Sequence, residues 1–269
     1  MPTVTANNIN IYYESIGTGD PLVLISGLGY NMWQWHKMVP GLAKSFRVIT
    51  FDNRGVGQTD KPEGPYSASL LAADTAALLD TLDIPKAHIM GHSMGGFIAQ
   101  EMALSYPNMV SKLILASTNF GGPHHLPITA EAMAVLSDTT SDAVTRFKNG
   151  LAVSTAPDWP KNNEAMIDEW LAWRMTNLVD PAAYQAQMEI GLSLLSEEAC
   201  FENRLPKVQA ETLILFGEYD KVVPPGNADL LAAKIPDSTI HFLPNAGHFF
   251  PMEIPEAANE AVIKFLSRD

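Results

Sequence analysis

Three things are scarce in this sequence, and each scarcity excludes something. There is a single cysteine, Cys200, in 269 residues. An intrachain disulfide is therefore impossible, and the fold must be held by its core. Basic residues are few, 17 Lys and Arg against 30 Asp and Glu, for a net charge of −13. Nucleic acids and anionic lipid surfaces are bound mainly through basic patches, so neither is an expected partner. Long apolar runs are missing too: none approaches the roughly 20 residues that cross a bilayer. The opening "MPTVTANNIN" lacks the basic and apolar regions of a secretory signal. A cytoplasmic enzyme is the expectation, with no membrane partner; nothing in the sequence speaks to its oligomeric state.

What is present is material for one large core, with 46% apolar residues. Short β-branched and aliphatic runs recur as "INIYYES", "PLVLIS", "RVITFD", "KAHIM", "KLILAST", "TLILF" and "TIHFL", each bounded by Gly, Pro, Asp or Asn. These read as strands. Helical spacing separates several of them, as at Leu71, Thr75, Leu78 and Leu82, or Ile254, Ala258, Ala261, Val262 and Phe265. Continuous apolar strands alternating with helices predict an α/β fold with a mostly parallel sheet covered on both faces, opening on an antiparallel hairpin. Residues 119–208 break the rhythm. They offer helical patterns and no clear strand, including a broad apolar face at Met166, Ile167, Trp170, Leu171 and Trp173. The expected organisation is thus a core of residues 1–118 and 209–269 with a helical lid over 119–208.

Within "HIMGHSMGGFIAQ" one serine stands among glycines. Gly91-His92-Ser93-Met94-Gly95 has the form G-x-S-x-G between an expected strand and an expected helix, where the serine sits on a sharp, strained turn. Side chains at 91 and 95 would collide with neighbouring backbone there; glycine removes the collision. The turn lifts the hydroxyl clear of the sheet and aims the Met94 N–H, at a helix N-terminus, toward negative charge forming nearby. A serine hydroxyl needs a base to become a nucleophile, and the base needs an acid to orient it. "LILFGEYDKVVPP" puts Asp220 in the loop after one strand, and "LPNAGHFFPMEIPE" puts His248 in the loop after the next. Taken alone, a loop Asp is more often a turn former and a lone His a packing residue. Ordered together after three strands, they become candidates.

In these motifs the chain resembles the α/β-hydrolase superfamily over nearly its whole length. "LISGLGYNMW" is similar to the family's oxyanion loop, and "FDNRGVGQTDKP" to its D-x-R-G-x-G-x-S segment. The resemblance implies a catalytic triad of Ser93, Asp220 and His248, with Leu28 and Met94 N–H groups as the oxyanion hole and no metal or cofactor. Ser26 stands where many members have histidine, which puts support of the loop in question, and Thr59 stands where many have serine. Arg54 reads as a structural ion-pairing residue and His92 as a packing neighbour. His124 and His125 form a pair with no Cys, Asp or Glu close by in sequence to complete a metal site.

The chemistry so implied is acyl transfer on a carboxylic ester or lactone. Cofactor-free haloperoxidases or perhydrolases, enol-lactonases, acyl-homoserine lactonases and triad-retaining small-ligand receptors share these motifs. Residues expected to line the acyl pocket are Trp33, Met133, Trp170, Trp173 and Met188. Residues 119–208 carry twelve acidic side chains against six basic ones. A field of that sign favours a neutral substrate with an apolar acyl chain, unless an arginine is aimed into the pocket.

Overall fold

The computed structural model describes residues 2–138 and 140–268. Its strands are β1 (Thr3–Ala6), β2 (Ile9–Ile16), β3 (Pro21–Ile25), β4 (Arg47–Phe51), β5 (Ala87–His92), β6 (Val110–Ala116), β7 (Thr212–Gly217) and β8 (Ser238–Leu243). They form one eight-stranded sheet in the order β1-β2-β4-β3-β5-β6-β7-β8. The strand β2 pairs antiparallel with both β1 and β4, and every other pairing is parallel. All seven expected strands are present. The eighth, β1, is four residues of "TVTA" with one buried side chain, too short and too polar to announce itself.

Eleven α-helices occur among the described residues: α1 (Val39–Leu42), α2 (Ala68–Thr81), α3 (Met94–Ser105), α4 (Ala130–Leu136), α5 (Ala143–Ser154), α6 (Trp159–Asn162), α7 (Glu164–Thr176), α8 (Pro181–Ser193), α9 (Asn227–Ala232), α10 (Phe250–Glu253) and α11 (Pro255–Leu266). None is long and apolar enough to cross a membrane. On one face of the sheet, Leu71 and Leu78 of α2, Ile98 and Met102 of α3 and Leu231 of α9 pack with Val23, Ile89 and Ile214. On the other, Leu42 of α1 and Val262 and Phe265 of α11 pack with Leu24, Met90 and Leu215. Burial on both faces explains why the central strands are almost continuously apolar.

Between β6 and β7 the regular elements among the described residues are all helical, α4 to α8 and a short 3-10 turn, the segment termed the cap here. Local capping starts them: Thr129 accepts from Ala132 N–H, Asp142 from Val144 and Thr145 N–H, and Asp180 from Ala183 N–H ahead of Pro181. The cap has its own cluster of Leu151, Trp159, Ile167 and Trp170, which closes on Met252 of α10.

Candidate active site

Ser93 follows β5 and precedes α3 with φ 55° and ψ −120°, outside the ordinary region for a residue with a side chain. Such a conformation costs about 1–3 kcal/mol and persists only where surroundings impose it. Here they do. Ser93 N–H donates to Ala116 O at 2.9 Å, and Ser93 O accepts from Gly96 N–H at 2.8 Å and Thr118 Oγ1 at 2.9 Å. The flanking glycines permit the turn: a Cβ on Gly91 would meet Gly95 O at 2.1 Å, and one on Gly95 would meet Ile25 O at 2.3 Å.

His248 and Asp220 come together from the loops after β8 and β7. Nδ1 of His248 lies 2.8 Å from Asp220 Oδ2, and both side chains are buried. The other oxygen, Asp220 Oδ1, accepts from Val222 N–H at 2.9 Å and Val223 N–H at 2.8 Å. The carboxylate is thereby fixed, Nδ1 carries the proton it shares, and Nε2 is left free to act as a base. Ser93 and His248 line one cavity of about 460 Å³, together with Leu28.

Neighbouring groups tune this corner. His92 is fully buried, and desolvation together with the nearby His248 holds its pKa well below the usual imidazole range. It is therefore a neutral ring whose Nε2–H donates to His248 O at 2.8 Å. Packing beside His248 at 4.7 Å between ring centres, it steadies that loop and adds no charge. Glu253 is pushed up to about 7 by burial, with the charge of Asp220 adding to the effect. Its carboxyl accepts from Gly247 N–H at 3.0 Å and from Ala156 N–H at 2.7 Å, tying the histidine loop to the cap.

The loop after β3 is held as firmly. Ser26 O accepts from Asn53 Nδ2 at 3.0 Å, and Ser26 Oγ donates to Asn31 O at 3.2 Å, so the serine supports this loop through its own hydroxyl. Thr59 uses its hydroxyl to tie its loop to β2, Oγ1 accepting from Tyr12 N–H at 3.0 Å. Arg54 makes a bidentate pair with Asp74, Nε to Oδ2 at 2.8 Å and Nη2 to Oδ1 at 2.6 Å, which fastens the β4 loop to α2. His124 meets an acid that sequence distance concealed, Glu202, at 2.8 Å, and Glu202 also pairs with Lys234.

The cavity wall differs from the expected one. None of Trp33, Met133, Trp170, Trp173 and Met188 lies on it. Trp33 and Trp173 stack face to face at 4.2 Å and line a separate cavity of about 370 Å³. Trp170 is wholly buried in the joint between cap and core, while Met133 is 51% and Met188 36% exposed. Helical spacing identified the apolar face of α7, but its indoles serve as the joint. The wall is instead built by Phe147 and Leu151 of α5, Leu171 and Met175 of α7, Tyr30 and Phe249. Arg146 and Arg174 are on it as well, against one acid, Asp138. Neither arginine has a carboxylate partner among the described residues. The cap's overall negative charge is therefore not the charge presented to the cavity.

Comparison with known proteins agrees with this architecture. Residues 20–255 match the model of the alpha/beta hydrolase fold, and the chain belongs to that family. It is 34% identical to a Mycobacterium tuberculosis protein assigned as the non-heme bromoperoxidase BpoC, over 96% of this chain and 98% of that one. Among solved structures it resembles the meta-cleavage product hydrolase CumD of Pseudomonas fluorescens with a TM-score of 0.82 and 26% identity, covering 99% and 97% of the two chains. It likewise resembles Est816, described as an N-acyl homoserine lactone degrading enzyme, with a TM-score of 0.81, 28% identity and 98% and 100% coverage.

Proposed function

We propose that the protein is a serine hydrolase that cleaves carboxylic esters or lactones through an acyl-enzyme. The observation that carries the reading is Ser93, held in a strained turn on the same cavity as a histidine whose Nδ1 is bonded to a buried aspartate. In this reading His248 Nε2 takes the Ser93 proton as the hydroxyl attacks the substrate carbonyl, and Asp220 stabilises the imidazolium that forms. Leu28 and Met94 N–H groups hold the developing oxyanion. His248 returns the proton to the leaving alkoxide, the C–O bond breaks, and the acyl group stays on Ser93. Water, activated by the same histidine, then releases the acid. No step asks for a metal or redox group.

The cap acts as the lid of this site, with α5 and α7 selecting the acyl group. Phe147, Leu151, Leu171 and Met175 favour an apolar acyl chain. A second reading, a substrate bearing a carboxylate, is supported by Arg146 and Arg174 on the wall, neither of which has a carboxylate partner among the described residues. The assay that tests both measures kcat/KM for nitrophenyl esters of two to eight carbons, an acyl-homoserine lactone and a carboxylate-bearing enol-lactone. Preference for a neutral medium-chain ester or lactone supports the first reading, and preference for the anionic lactone supports the second. Hydrolysis of none of them contradicts the acyl-transfer reading.

A further inference from the structure

Beside the ring contacts that it makes on Tyr30 through Trp170, Trp173 and Arg174, the cap grips the oxyanion loop at Gly29. The Gly29 N–H donates to Gln187 Oε1 at 3.0 Å, and the Gly29 carbonyl accepts from Arg174 Nη1 at 2.7 Å. The ring of Tyr184 covers its Cα so closely that an added Cβ would stand 2.8 Å from Cε2. All three side chains belong to α7 and α8. From the core side, Gln34 Oε1 accepts from Gly27 N–H at 2.9 Å. Leu28 N–H lies between these two tethered amides and has no protein acceptor among the described residues. Gln187 is fully buried, and its Nε2 donates to Arg54 O at 2.8 Å, so the carboxamide cannot turn without losing bonds at both ends.

We propose that Gln187 is a positioning residue for the oxyanion hole, through which the cap sets the direction of the Leu28 N–H. The inference rests on the serine-hydrolase reading above. A backbone N–H points steadily at a developing charge only if the peptide planes on either side of it are fixed. Gln34 fixes one plane from the core, and Gln187 fixes the other from the cap. A cap that shifts on its joint therefore changes transition-state stabilisation along with access to the pocket. Because the ground-state carbonyl needs this donor less than the oxyanion does, loss of Gln187 lowers kcat more than it raises KM.

The test uses Gln187→Met, which keeps the length of the side chain and removes both hydrogen bonds, assayed on a nitrophenyl ester. The expected result is a fall in kcat of about tenfold or more, with KM within about threefold, since misdirecting a donor costs part of what deleting it costs. Affinity for a trifluoromethyl ketone, which forms an oxyanion adduct on serine, should fall in parallel. Gln187→Glu, which retains an acceptor for Gly29 N–H, should recover part of the kcat. Should Gln187→Met fail to fold, Arg174→Met removes the other tether from a half-buried position and is expected to act in the same direction. Wild-type kcat and ketone affinity in the folded variant, with only KM or thermal stability altered, would overturn the proposal. Absence of hydrolysis and ketone binding in the unmodified protein would remove the hydrolase reading, and the proposal with it.

Discussion

At the scale of single residues, the site depends on groups whose preferred state is overruled by their surroundings. Ser93 is held in a backbone conformation it would not choose, and Glu253 retains its proton to about 7 because burial outweighs the N–H bonds that favour the anion. A carboxyl that titrates near 4.5 in the unfolded chain and near 7 in the fold leaves the native state binding more protons between those values. Its contribution to stability is therefore complete below pH 4.5 and is lost as pH rises toward 7, by an amount of order 3 kcal/mol. His92, kept neutral by burial, acts in the opposite direction below its usual titration range. The difference between wild type and Glu253→Gln isolates the carboxyl. In thermal unfolding of the two from pH 4.5 to 7.5 the wild type should lose stability relative to Glu253→Gln as pH rises, and a difference independent of pH would contradict the account. In the sequence, Ser93, Asp220 and His248 were legible because each follows a strand in a recognisable order. Glu253 and Gln34 were not, since their roles depend on which backbone amides the fold brings to them.

At the scale of elements, the core was more legible than the cap. Strands buried on both faces declare themselves as apolar runs, and the helix of α3 was announced by the glycines that let it start against β3. In the cap, period alone identified α7 but could not distinguish the face that forms the cavity from the face that forms the joint. Trp170 and Trp173 are on the joint, and Leu171 and Met175 are on the wall. Leu171→Trp, which fills the cavity, is expected to shift the preferred acyl group toward shorter chains in a kcat/KM series, whereas Met188→Ala leaves the preference where it was. The reverse pattern would return acyl selection to the residues the sequence favoured. A second element-scale device is the Arg54–Asp74 pair between the β4 loop and α2, in which both side chains are buried. Removing one partner strands a buried charge, so Asp74→Ala should destabilise the fold by about 3–5 kcal/mol, read as a lowered denaturation midpoint. A change below about 1 kcal/mol would mean that the guanidinium finds water or another acceptor.

At the scale of the whole molecule, a negatively charged chain surrounds a cavity whose wall bears two arginines and one aspartate. Sequence charge describes the outer field; the inner one depends on which side chains point inward, and that is set by the fold. The same holds for the cap, which joins the core at the histidine loop through Glu253 and at the loop after β3 through Gln187. The proposed reaction turns on the Ser93 hydroxyl as the nucleophile. The direct measurement is labelling by a fluorophosphonate with mass mapping of the modified residue, paired with nitrophenyl ester turnover, in wild type and Ser93→Ala. The account predicts one phosphonyl group on Ser93 in the wild type, and neither labelling nor turnover in a variant that remains folded. Undiminished turnover in Ser93→Ala, or a label on another residue, would contradict it.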